Sequence, residues 1–215
     1  KLRYGENPHQ KGIFKGDIKD VFNQINGKEL SYNNLLDVDS AIRLISEFKD
    51  PTFAILKHNN ACGIASSADA QTSYSKAFDA DPLSAFGGVL IYNSVIDENA
   101  AQKINDLFFE IIIAPKYTEE SLNILKSKKN RIILIQKKKI YKSHLSRDVL
   151  NGKLKQDMDN EIKDCKSWKL VTEKKLDQSR IEDLEFANRI VKHSKSNAIV
   201  LVKDKQMLSS GVGQT

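Results

Sequence analysis

Lys57-His58-Asn59-Asn60 is the run in this 215-residue sequence best equipped for chemistry. A cation, an imidazole and two amides follow directly on Phe53-Ala54-Ile55-Leu56, an apolar stretch suited to a buried strand. A sheet interior has no use for such a series, whereas a pocket at the end of a strand does, because loops there present polar groups on a rigid base. Lys57 could neutralise an anion or polarise a carbonyl, and His58 could move a proton near neutral pH. Asn59 and Asn60 could orient a polar substrate, with the chain turning at Gly63. The plainer alternative is a solvated exit from a strand that carries a lone His. Cys62 beside His58 suggests a thiol nucleophile, but a buried Cys behaving as a small hydrophobe is the commoner case and is the default.

Other stretches are also more polar than packing requires. Residues 2–10 form a loop dense in hydrogen-bonding groups and shaped by Gly5 and Pro8, where Arg3 offers a planar fork for phosphate or carboxylate. His9 and Gln10 could contact a sugar or base. Asn33-Asn34 precedes a helical pattern, and Ser84-Ala85-Phe86-Gly87-Gly88 would let a ligand approach the backbone closely, with Phe86 as a flat contact. That glycine pair is neither a dinucleotide fingerprint nor a P-loop, and such pairs often mark only a turn. Lys195-Ser196-Asn197 again sets polar groups against a buried strand, here on its N-terminal side.

The elements that must position these residues alternate. Residues 14–27 have a weak amphipathic pattern. A helix ending near Phe48 is capped by Asp37, Asp39 or Ser40, with Ala41, Leu44, Ile45 and Phe48 on one face. Asp50-Pro51 stops it. Helices follow over 69–79, 97–107 and 119–126, with strands over 89–92, 109–115 and 131–135. This alternation from 53 to 135 argues α/β layering. Beyond Lys137 the pattern loosens into strand-like pieces. A helix from Gln178 or Ser179, a strand to Val202 and a hairpin turn at Asp204-Lys205 then close the chain.

Composition bounds the function. Forty per cent hydrophobic and 29% charged residues describe an ordinary globular protein. No apolar run approaches the roughly 20 residues of a membrane-spanning helix. The two cysteines, Cys62 and Cys165, form no CxxC pair, which fits a reducing compartment and a cytoplasmic protein. The four histidines lack metal spacing, so no metal is expected. Residues 116–175 hold 17 Lys/Arg against 8 Asp/Glu, a local excess of +9 that concentrates the basicity of a chain whose net charge is +6. A nucleic-acid surface is one reading. Tyr117, Tyr141 and Trp168 are too few for stacking platforms, so a solvated lysine-rich face or steering of an anionic substrate is preferred. Both ends are abrupt, and the sequence reads as a fragment of a longer protein.

Taken together, LRYGENPHQ (2–10), LKHNNACG (56–63), DPLSAFGG (81–88) and SNAIVL (196–201) resemble one family in the same order along the whole chain. It is the aminoimidazole carboxamide ribotide (AICAR) transformylase domain of bifunctional purine-biosynthesis proteins, whose other domain is inosine monophosphate (IMP) cyclohydrolase. The resemblance implies a cytidine deaminase-like mixed sheet layered with helices, present twice. Residues 1–165 would be the first copy and 166–215 the start of the second. The deaminase zinc signature is absent. The implied reaction moves a formyl group from 10-formyltetrahydrofolate to the 5-amino group of AICAR in a homodimer, with no nucleic acid or membrane involved.

On this resemblance His58 is the proton-transfer group, Lys57 binds and polarises at the reacting centre, and Asn197 hydrogen-bonds the formyl or N10 region. Arg3, Tyr4, Gly5 and His9 grip the ribotide, Ser84, Phe86 and Gly87 line the site, and Asn34 joins them. Ala61 stands where family members often have Pro, and further ribotide- and folate-binding residues lie in family regions beyond Thr215. A non-catalytic nucleotide-binding module and a nucleic-acid-binding fragment are the rival classes.

Overall fold

The fold is seen in a computed structural model that describes residues 1–138, 140, 142–162 and 165–213. Lys139 and Tyr141 of the basic segment, and Gln214 and Thr215, lie outside the described residues. The centre is an eight-stranded mixed sheet. Its strands are β1 (Phe22–Asn26), β2 (Thr52–Lys57), β3 (Asn60–Ser66), β4 (Val89–Tyr92), β6 (Ile111–Ala114), β8 (Ile132–Gln136), β11 (Ala198–Lys203) and β12 (Gln206–Val212). They lie in the order β1-β8-β6-β4-β2-β3-β12-β11. Strands β4, β6 and β8 run parallel, while β1, β2 and β3 pair antiparallel with their neighbours. Two short pairs stand apart: β5 (Val95–Ile96) with β7 (Lys116–Tyr117), and the basic hairpin β9 (His144–Val149) with β10 (Gly152–Asp157).

Helices cover both faces, which is why β4 and β6 read as unbroken apolar runs rather than alternating ones. On one face α1 (Tyr32–Ile45) and α6 (Gln178–Lys192) pack over Ala54, Leu56, Ile91, Ile111, Ile113 and Leu134. Phe48 and Phe186, 5.0 Å apart between ring centroids, join the two helical segments. On the other face α2 (Ala70–Ala80), α4 (Glu98–Asn105) and α5 (Glu119–Leu125) cover Phe53, Ile55, Leu90, Ile112 and Ile133. A short α3 (Pro82–Ala85) leads into β4. Among the described residues no helix is long and apolar enough to cross a membrane.

Three sequence expectations are corrected, and the weak pattern over 14–27 is resolved. Helix α1 starts at Tyr32, well before the expected caps, because Ser31 and Asn34 form a reciprocal capping box that satisfies two backbone N–H groups at once. The chain turns at His58-Asn59 rather than at Gly63, which lies inside β3 beneath α2: a Cβ there would come within 1.8 Å of the Ala77 carbonyl oxygen. The weak amphipathic pattern over 14–27 is a single 3₁₀ turn followed by the edge strand β1, which ends at Asn26. Strand β11 is not a buried strand, since its outward side chains Ile199 and Leu201 are 70% and 58% exposed.

The β11–β12 hairpin reaches the sheet edge through Gln206 opposite Ala65 and a Ser66 N–H bond to the Lys205 carbonyl. Its turn is fixed from α6. The buried Asp183 carboxylate accepts the Asp204 and Lys205 N–H groups at 3.0 and 2.9 Å, both residues having φ of +53°.

Candidate active site

Sheet register decides what meets what. Leu56 pairs with Val89, Val89 with Ile111, and Ile111 with Ile132. The C-terminal end of β2 therefore lies beside the N-terminal ends of three parallel strands. Lys57, Gly87-Gly88, Glu110 and Arg131 all emerge at this one end.

The Lys57-His58-Asn59-Asn60 run is a two-residue hairpin. Lys57 pairs with Asn60 across the ladder, and His58 and Asn59 have φ of +49° and +65°. Two successive positive φ values match the right-handed twist of the flanking strands. Asn tolerates that region readily, His less so. External hydrogen bonds offset the strain. The Asn59 N–H donates to Asp37 Oδ1 at 2.8 Å, Ser40 Oγ donates to Asn59 Oδ1 at 3.3 Å, and Asn60 Nδ2 donates to the His58 carbonyl at 3.1 Å. From the far side the Lys195 N–H reaches Asn60 Oδ1 at 3.3 Å, which brings the loop ahead of β11 onto the same turn. The His58 side chain is exposed.

Alternation along β2 sends Leu56 toward α1 and Lys57 toward the opposite layer. There the Lys57 ammonium donates to the Phe86 carbonyl oxygen. Gly87 follows with φ of +71°, its N–H donating to the Phe108 carbonyl at 2.8 Å. The Phe86 and Phe108 rings are 5.0 Å apart and 60% and 54% exposed, so they form an open aromatic surface beside the ammonium. Ser84 sits in the preceding turn, where its hydroxyl and N–H bond to Asp81 and hold that carboxyl below the usual range. Glu110, next to Gly88 through an N–H···O bond of 3.0 Å, makes a 2.6 Å ion pair with Lys28.

The N-terminal loop docks on the start of α1. Arg3 N–H bonds to the Leu30 carbonyl, Tyr32 N–H to the Tyr4 carbonyl, and Gly5 N–H to the Gln10 carbonyl. The Arg3 guanidinium lies 4.6 Å from the Tyr4 ring centroid and donates to the Tyr4 hydroxyl at 2.9 Å. Its Nε is buried and unpartnered among the described residues. Asn34 lies in the first turn of α1, with its carbonyl oxygen spent on the capping box. Asp37 follows one turn later on the same face, so α1 links the loop to the hairpin turn.

The structure thus brings Lys57 together with Phe86 and Gly87, and Arg3, Tyr4 and Gly5 together with Asn34. His9 and Asn197 are exposed, and their side chains make no hydrogen bond among the described residues. Sequence reasoning missed Asp37, Phe108 and Glu110. Asp37 reads as a helix cap, yet it anchors the turn. Burial pushes its carboxyl up from the ordinary value, against the Asn59 N–H bond and the nearby charges of His58, Lys57 and Lys195. Its position three residues after Asn34 is the signal that could have found it. Phe108 and Glu110 precede β6, and only the parallel register shows that they meet Gly87-Gly88.

Cys62 packs as a partly buried hydrophobe against the core beneath α2 rather than standing as a nucleophile. Its thiol donates to the Ile55 carbonyl at 3.4 Å, and burial, with Asp81 second, pushes its pKa up to about 12. Among the described residues no group of three or more His, Cys, Asp or Glu is placed to hold a metal ion. The Lys57 end of β2 therefore offers a fixed ammonium beside an open aromatic surface, the hairpin turn an exposed imidazole, and the loop docked on α1 a guanidinium.

Comparison with known proteins gives one consistent result. A family model described as the AICARFT/IMPCHase bienzyme matches residues 1–215. A curated bifunctional purine biosynthesis protein PurH from Bacteroides thetaiotaomicron is 57% identical over 214 residues, covering 100% of this chain and 42% of the relative. Its namesake from Acetivibrio thermocellus is 45% identical over 224 residues, covering 100% and 44%, and that from Enterococcus faecalis 41% identical over 224 residues, covering 99% and 43%. The chain spans less than half the length of these relatives.

Proposed function

The chain belongs to the AICARFT/IMPCHase bienzyme family, and from that membership we propose that it supplies part of the site transferring a formyl group from 10-formyltetrahydrofolate to the 5-amino group of AICAR. The carrying observation is the junction of Lys57 with Phe86-Gly87, which joins two separate sequence blocks at one end of the sheet. In this reading the carbon–N10 bond of the folate breaks and a carbon–nitrogen bond to the ribotide amine forms. The amine proton passes by way of His58 toward N10. The amine is weakly nucleophilic because its lone pair is delocalised into the imidazole carboxamide, so proton removal and stabilisation of the oxyanion are the needs to be met.

The Lys57 ammonium, held by one acceptor, keeps donors for the developing oxyanion. Asn197 would approach the formyl or N10 region, near the turn through Lys195. Arg3, Tyr4, Gly5 and His9 would grip the ribotide, with Asn34 beneath them, while Ser84, Phe86 and Gly87 line the pocket. Residues 1–165 and 166–215 are read as a cytidine deaminase-like copy and the start of another. The rest of the site would come from the remaining chain and a second subunit of a cytoplasmic homodimer, and the IMP cyclohydrolase activity of the parent from a region outside this chain.

Formyl transfer by the full-length protein and its His58→Ala variant tests this. A fall of about 10²–10⁴-fold in turnover is expected for a proton-transfer group. An unaffected variant would make His58 structural, and a parent without transfer would leave a nucleotide-binding module as the better reading.

A further inference from the structure

A cleft of about 450 Å³ opens on the α1–α6 side of the sheet, where Ser40, Arg43, Asn59, Arg147, Lys192 and Lys195 contribute to its walls. It lies across β2 from the Lys57–Phe86 junction: Leu56 lines it, while Lys57 leaves by the opposite face. None of Arg3, Tyr4, His58 and Phe86 contributes to it.

Its charges do not cancel. Lys192 and His193 both contact Glu47, at 2.9 and 2.8 Å, and Asp39 is taken by Lys142 at 2.7 Å. Arg43, Arg147 and Lys195 have no salt bridge among the described residues, and they come from three separate elements: α1, β9 and the loop after α6. Arg43 Nε is buried without any hydrogen-bond acceptor. A buried N–H left unpaired costs free energy that an arriving acceptor would recover. Guanidinium groups present rigid forks that suit closely spaced phosphate oxygens. The volume falls within the range of small-molecule sites.

We propose that this cleft is a second anion site, apart from the reacting centre, that takes a small phosphate-bearing ligand carrying at least two negative charges. Arg43 and Arg147 hold the phosphate oxygens and Lys195 supplies the remaining charge. Asn59, whose side-chain oxygen is taken by Ser40, offers its Nδ2 as a neutral donor at the end nearest the hairpin turn.

Calorimetric titration of inorganic pyrophosphate into the full-length protein at low salt tests the assignment. Saturable binding is expected, weakened at least about tenfold in Arg43→Gln/Arg147→Gln and retained in Arg3→Gln. Arg147 is exposed on a surface hairpin, so Arg147→Gln alone, with an unchanged thermal melt, should weaken binding severalfold and guards against a misfolded double variant. Pyrophosphate affinity unchanged in Arg147→Gln and the double variant overturns the proposal, as does absence of binding to the parent. Equal binding of citrate overturns the phosphate assignment, and a structure of the full-length protein with its own carboxylate seated on Arg43 and Arg147 overturns the ligand site altogether.

Discussion

Replacing Gly87 by Ala would probe the Lys57–Phe86 junction without removing any functional group. Gly87 has φ of +71°, and a Cβ there would lie 3.2 Å from Lys57 Nζ and 3.7 Å from the Phe108 ring. Holding an L-residue in the left-handed region costs about 1–2 kcal/mol, a small part of the stability of a folded domain. The 3.2 Å approach is tighter than ordinary van der Waals contact, so the ammonium must give by a few tenths of an ångström at least. It cannot slide freely, because the Phe86 carbonyl that it bonds belongs to the strained peptide itself. In the proposed reaction Lys57 is a reacting group, and displacement of about 1 Å at such a group can cost on the order of 10²-fold, so turnover should fall about 10- to 100-fold with the fold retained. Initial rates of formyl transfer by the full-length protein, alongside a thermal melt, provide the assay. Turnover within twofold of the parent, with the melt lowered as expected, would refute the claim that the Phe86-Gly87 peptide sets the position of Lys57.

Two further predictions concern groups away from this junction. Burial pushes the Glu47 carboxyl up, but hydrogen bonds from His193 and Lys192 outweigh it and hold the pKa below the ordinary value. A depressed carboxyl adds stability above the unfolded pKa and loses it as pH falls through the folded one. Glu47→Gln should therefore cost about 1–3 kcal/mol at pH 7, with the deficit shrinking in acid; equal shifts of the urea midpoint at neutral and acid pH would count against this ion-pair account. For Cys62, iodoacetamide at pH 8 should leave the thiol unmodified in the native protein and alkylate it in urea, and rapid native labelling seen by mass spectrometry would contradict its burial.

Much of the fold is readable from local sequence because local physics decides it. Ile111-Ile112-Ile113 is apolar throughout and becomes a strand covered on both faces, and Asp69, Asp97, Thr118 and Asp177 each cap the helix that follows. The start of α1 was misjudged because three polar residues compete for the cap, and only the reciprocal Ser31–Asn34 pair settles which serves. Position of the turn is hidden for a related reason. His-Asn lacks the usual glycine of a tight hairpin, so Gly63 draws attention although its own constraint is the helix packed above it. The site was legible where consecutive residues carry it, as at 57–60. It was not where register does: Glu110 and Phe108 reach Gly87-Gly88 only through a parallel ladder with no trace in spacing.

The left-handed pair His58-Asn59 also bears on how this protein tolerates improvement. A two-residue loop with two positive φ values is best served by Asn-Gly, so a redesign guided by backbone compatibility alone would write that dipeptide at 58–59 and gain stability from it. It would also delete the only imidazole at the turn. A stabilised variant of this protein should fix these two positions and seek its gains elsewhere.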